Sequence, residues 1–203
     1  MRIDPENRGL QGLTGFLSFV ALNIVYLVLC IPLITIGAAT SALYEVMIRF
    51  SDEERGRPLK DFFPAFVRNF GRATLASLLL LPPAVLLAFS AVFWISEGSM
   101  LSGAATVIGL LGAAYLFAAF LYAMAQVAWY RNSVRQTLKN ALLLPAAEPV
   151  RTLGILLVPV TAVCLTILFP PFAFLVLTVG FSVGAYATAF LFRGVFARHQ
   201  PEA

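Results

Sequence analysis

Charge is what this sequence has least of. Asp, Glu, Lys and Arg make up 12% of its 203 residues, and 60% are hydrophobic, whereas a soluble domain carries roughly a quarter charged residues. A water-soluble fold with so little charge would have to show apolar surface to solvent. A bilayer is the medium that favours such a surface. Histidine is nearly missing, with His199 alone, and the two cysteines, Cys30 and Cys164, lie far apart in apolar runs. That inventory excludes a His/Cys metal centre and a disulfide framework, and the cysteines read as small buried hydrophobes. Paired acids, a Ser-His-Asp set and a glycine-rich phosphate loop are also lacking, so the expectation is a protein that is not an enzyme and takes no cofactor. The acidic run Asp52-Glu53-Glu54 sits beside Arg55 and Arg57 and reads as a solvated loop. Basic residues exceed acidic ones by 14 to 10. So few charges do not make a nucleic-acid surface, and the surplus is a topology signal instead.

What is present is long uncharged intervals. They lie between Arg8 and Glu45, Arg72 and Glu97, Glu97 and Arg131, and Arg151 and Arg193. A helix needs about 20 residues to cross the hydrocarbon core. The last interval therefore holds two crossings, parted by Pro170-Pro171, because consecutive prolines cannot continue a helix. The fold class is all-α: a polytopic transmembrane helical bundle in one domain, with spans at 13–31, 33–49, 73–95, 102–130, 152–169 and 172–192. Residues 32–48 are apolar but rich in small side chains, so they form either a short second span or an interfacial helix. Six spans is the preferred reading and five the alternative. The apolar stretch after Arg2 and Arg8 outruns a signal-peptide core and reads as the first membrane helix.

Lysine and arginine fix the orientation. Arg49, Arg55, Arg57, Lys60, Arg68 and Arg72 cluster in one loop region, Arg131, Arg135, Lys139 and Arg151 in another, and Arg193 and Arg198 follow the last span. The turns around 96–99 and 169–171 carry none. The positive-inside rule places the decorated side in the cytoplasm, with both termini inside if six spans cross.

Residues 61–72 read as an amphipathic helix on the cytoplasmic surface, with Phe62, Phe63, Phe66, Val67 and Phe70 on one face and Arg68, Asn69 and Arg72 on the other. Asp61 is its expected N-cap, with Pro64 in the first turn. Residues 134–142 repeat the pattern with Val134, Leu138, Ala141 and Leu142 against Arg135, Lys139 and Asn140. Such helices anchor to anionic lipid or dock a partner protein. Gly180 and Gly184 form a GxxxG, and Gly109 with Ala113 a looser small-residue pair. Both favour close packing within the chain, and a homo-oligomer face is the open alternative. Pro82-Pro83 and Pro159 should kink their spans.

The polar residues inside the spans are few. Asn23 and Gln126 read as interhelical hydrogen-bonders, and Glu45 with Arg49, spaced i, i+4, as an ion pair near the cytoplasmic interface. Tyr44 and Tyr130 fit interfacial belts. An ion-coupled carrier expects a charge near the bilayer midplane, and none is evident.

The stretch 30–44, with Pro32, Thr35, Gly37, Thr40 and Tyr44 following Asn23, resembles the opening signature of the YesL-like bacterial membrane proteins, a domain of unknown function (DUF624). Asp61, Phe62, Phe66, Asn69 and Phe70 resemble that family's next block. The resemblance implies a bacterial plasma-membrane protein with no established activity, often encoded beside carbohydrate ABC importers. The expected partners are therefore the lipid bilayer and ABC importer subunits. The expected function is a non-enzymatic accessory or regulatory role in carbohydrate uptake, with a small stand-alone transporter or channel as the alternative.

Overall fold

The structure, a computed structural model, describes residues 8–53, 58–97 and 99–199. Every regular element among them is helical: α1 (Arg8–Cys30), a 3-10 turn (Leu33–Thr35), α2 (Ile36–Glu53), α3 (Pro58–Ile95), α4 (Met100–Trp129), α5 (Val134–Ala147), α6 (Pro149–Leu168) and α7 (Phe172–Leu175). A π-turn (Val176–Gly180) carries α7 directly into α8 (Phe181–His199), making one rod. Helices satisfy their own backbone hydrogen bonds, the arrangement that long apolar runs would need in a bilayer. Five helices are long and apolar enough to cross a membrane: those over Leu33–Ser51, Pro58–Ile95, Met100–Trp129, Pro149–Leu168 and Phe172–Arg198. The apolar part of α1, Thr14–Cys30, is shorter.

The breaks fall where the backbone chemistry demands them. Pro32 has no N–H and stands in extended conformation at the entry to the 3-10 turn, ending α1 at Cys30. Pro170 and Pro171 form the α6–α7 turn. Ser99 caps α4 through a reciprocal pair of bonds with Ser102, at 3.1 and 3.0 Å.

Helix α2 lies at the centre of the bundle, against α3, α8 and α4. Every residue from Ala38 to Ile48 is buried. All faces of that stretch are covered by the bundle. Tyr44 is no belt residue: it is buried, its ring edge-on to Phe192 at 5.1 Å. The core continues through Met47, Tyr122, Met124, Phe192 and Phe196.

Residues 61–72 differ from the expectation too. They are not a separate helix but the first part of the 38-residue α3. A single buried stripe (Phe62, Ala65, Asn69, Ala73, Ala76, Leu80) runs through it at helical spacing, and Gly71 alone does not break it. Because the helix begins at Pro58, Asp61 lies within its first turn instead of capping it, and Pro64 lies inside. The aromatic face is divided between protein and surroundings, with Phe62 buried against the bundle and Phe63, Val67 and Phe70 exposed. At about 1.5 Å per residue α3 is roughly 57 Å long, well beyond the hydrocarbon thickness of about 30 Å.

The arginines gather at one end, where they also close helix termini. Arg72 Nη1 donates to the carbonyls of Tyr130 and Asn132 at 3.1 and 3.3 Å, just past the end of α4. Arg193 Nη1 donates to Ser51 O near the end of α2 at 2.8 Å. A cation at a helix C-terminus meets carbonyls that have no partner of their own, which favours both.

Candidate functional site

Three groupings of side chains bring together residues distant in the sequence. The first is built on Asn23, fully buried at the middle of α1. Its Nδ2 donates to Leu177 O at 2.7 Å and Val176 O at 3.4 Å, while its Oδ1 accepts from the backbone N–H of Phe181 at 2.9 Å and of Ser182 at 3.0 Å. In a regular helix the Phe181 N–H would donate to Leu177 O. Asn23 stands between those two groups, and the backbone widens to a π-turn around it. Ser182 adds a second tie, its hydroxyl donating to Phe19 O at 3.0 Å. A lone asparagine in an apolar span suggests a polar partner. Nothing in the sequence indicates that the partner is main chain, and Ser182 shows no periodic signal.

The second grouping surrounds Glu45, whose side chain is 4% exposed. One carboxylate oxygen accepts from Arg49 and Arg68, and the other accepts from Asn69 Nδ2 at 2.9 Å. The i, i+4 pair expected within α2 is present. The cluster is larger than that pair, because Arg68 and Asn69 reach it from the inward edge of α3. Asn69 is itself buried, whereas Arg49 and Arg68 extend toward the outside. The fixed geometry therefore lies between Glu45 and Asn69, with the arginines neutralising the charge at its rim.

The third grouping is the 32–44 segment. Thr35 Oγ1 donates to Pro32 O at 2.6 Å and to Leu29 O, closing the α1–α2 turn. Gly37 meets α3 so closely that a Cβ there would stand 2.4 Å from Ser77 Cβ and 2.5 Å from Ala73 O. Thr40 Oγ1 and the Tyr26 hydroxyl share a hydrogen bond at 3.2 Å. Thr35, Gly37, Thr40 and Tyr44 thus each have a partner in the chain, whereas Pro32 is exposed. Gln126 is different: it is buried, and its amide nitrogen lacks a hydrogen bond among the described residues. The expected interhelical donor bond is not made.

One member of each small-residue pair approaches another helix. Gly109 faces Ala91 and Leu87 O of α3, and Gly184 faces Val158 of α6. Helix α5 turns Thr137, Ala141 and Leu144 inward and leaves Arg135, Gln136 and Lys139 exposed. Beside these groupings lies a cavity of about 1100 Å3, bounded mainly by α2, α3, α4, α6 and α8, with Leu81, Pro82, Phe117, Pro159 and Phe181 in its wall.

Residues 19–91, from α1 to the outer part of α3, match the model of a family described as Protein of unknown function, DUF624. The Asn23, Glu45 and 32–44 groupings all draw on that segment. No curated protein and no solved structure matches the chain.

Proposed function

We propose that this is a bacterial plasma-membrane protein of six spans, its basic end and both termini in the cytoplasm, acting as a non-enzymatic accessory or regulatory partner of a carbohydrate ABC-type uptake system. The observation that carries the reading is α5. Its inner face is fixed to α4, and Arg135 and Lys139, with Arg131 just before the helix, are exposed at the basic end. A short cytoplasmic helix held rigidly and decorated on its outer side suits a protein surface better than a catalytic one. Phe63, Val67 and Phe70, exposed on the same stretch of α3 as Arg68 and Arg72, suit the headgroup boundary. The sixth span is α1. Its 23 residues reach about 35 Å at 1.5 Å each, enough to cross.

The cavity argues against a sugar carrier working alone. A sugar needs several unpaired polar groups, and most hydroxyls reaching this wall already have partners: Tyr26 with Thr40, and Thr166 and Thr188 with carbonyls of their own helices. The test is a pull-down of the full chain, solubilised in mild detergent from its native host. Importer subunits should be retained, and Arg135→Glu with Lys139→Glu should release them. A partnerless preparation from the same host sinks the reading. For the topology, a thiol label at Ile3→Cys should stay unreactive from outside; external labelling refutes six spans.

A further inference from the structure

We propose that the cleft between α3 and α6 binds the acyl tails of a membrane phospholipid. The inference rests on the helices crossing a bilayer and is independent of the uptake partnership. Elsewhere in the bundle, small residues bring backbones together: Gly37 against α3, and Gly109 against Ala91. Between α3 and α6 the facing side chains are large, and they remain exposed, Val85 at 62% and Leu86 at 66% on one wall, Val163 at 58% and Ile167 at 74% on the other. Near the basic end α4 bridges to α6 through the Tyr122 hydroxyl and Thr152 Oγ1 at 3.1 Å. The lining is buried at Tyr44, Leu121 and Ile155 and exposed at Val85, Val163 and Ile167, so the cleft is a wedge, closed at the first three and open sideways at the others.

Three arguments identify the occupant. Its volume of about 1100 Å3 lies at the top of the roughly 300–1,000 Å3 range of small-molecule sites, so it takes a large apolar body. Water is disfavoured, because a buried water needs two to four polar partners and the hydroxyls of Tyr26, Thr40, Thr166 and Thr188 are already engaged. The mouth faces sideways between two spans, so hydrocarbon enters without leaving its leaflet. A phospholipid meets all three conditions, its headgroup staying at the interface while its tails fill the wedge.

The experiment places the full chain in liposomes with a phosphatidylethanolamine carrying a diazirine midway along one tail. After irradiation, the labelled peptides are mapped by mass spectrometry. Label should concentrate on residues 78–86 and 158–167, above the comparably exposed Val107, Ile108, Leu110 and Leu111 of α4. Val85→Trp and Val163→Trp fill the mouth from opposite walls at exposed positions, and each should cut cleft labelling by about tenfold, the effect of ~1.4 kcal/mol. Labelling that simply follows exposure, or that persists in both filled variants, overturns the site. Preferential labelling by a polyisoprenyl diazirine that phospholipid cannot displace overturns the choice of occupant. Should both tryptophan variants elute misfolded, the distribution of label over the unaltered chain decides the question.

Discussion

Asn23→Leu isolates what one amide contributes inside the bundle. The substitution keeps the size of the side chain and removes four hydrogen bonds to main-chain atoms of the last helix, three of them at 3.0 Å or shorter. Hydrogen bonds between membrane helices average about 0.6 kcal/mol and reach about 1.7. Three well-formed bonds thus come to roughly 2 kcal/mol, rising toward about 5 if the freed N–H and C=O groups of the π-turn find no other partner. For a chain of this size, that is a fall in melting temperature of about 4–8 °C at the lower figure, read as the loss of the folded elution peak after heating in detergent. Unfolding here need not be reversible, so the comparison is between variants at one heating rate. A second change makes the test specific. A π-turn holds one residue more than the α-helical ladder needs, so deleting Thr178 should let Val176–Gly180 close to regular helix without turning α7 relative to α8. In the Asn23→Leu background the deletion should restore most of the lost stability; in the unaltered chain it should cost stability, because it strands the amide. If the deletion is equally harmful in both, Asn23 is not what the π-turn is built around.

Three further outcomes follow from the contacts. Gly37→Ala puts a methyl 2.4 Å from Ser77 Cβ and 2.5 Å from Ala73 O, so α2 and α3 must part by about 1 Å, an overpacking cost of about 1–3 kcal/mol despite alanine's better helix propensity; Ser77→Gly should recover only part of the thermal stability, and an unchanged melting temperature for Gly37→Ala counts against the close approach. Glu45→Leu should cost about 1–3 kcal/mol by orphaning the buried Asn69 amide, with most of it regained in Glu45→Leu/Asn69→Leu because the half-exposed arginines can turn to solvent; a double variant no more heat-resistant than the single one would assign the loss to the ion pairs. Arg72→Met removes a donor to two carbonyls past α4 and should lower stability by about 0.3–2 kcal/mol, with faster hydrogen exchange at residues 126–133 as the local signature; unchanged exchange there would remove Arg72 from that role.

Most of the helices are legible from charge-free intervals, since a helix that buries its backbone in lipid needs little else. The prolines mark the turns at Pro32 and Pro170-Pro171 for the same reason. What periodicity cannot give is which neighbour covers a face. Phe62 and Phe63 are adjacent aromatics, yet one is wholly buried and the other half exposed, because α2 passes on one side of α3 only. The i, i+4 spacing announces Glu45 with Arg49. Arg68 and Asn69 join them only through the crossing of α2 and α3, a tertiary fact. Tyr44 follows the same logic: a tyrosine near a predicted span end suits an interface, and the central position of α2 puts it in the core.

The packing of α2 also accounts for Thr35, Thr40 and Glu45 in the 32–45 region, and leaves the buried Ser41 hydroxyl without a hydrogen bond among the described residues. A central helix touching α1, α3, α4 and α8 must be narrow where it meets a backbone, which Gly37 provides. It must be tied at both ends, because apolar burial gives no net preference between helices and lipid. Thr35 and the Tyr26–Thr40 bond supply the tie at one end, and Glu45 with Asn69 supplies it at the other. Among the described residues α6 has such a tie to its neighbours at one end only, where Thr152 meets the Tyr122 hydroxyl. The side it turns to the cleft carries valine and isoleucine where α2 carries glycine. The bundle is therefore closed where small and polar residues hold it, and open where they are missing. If lipid tails fill the α3–α6 cleft as proposed, stability there should follow the lipid supplied, while the α2–α3 contact should not.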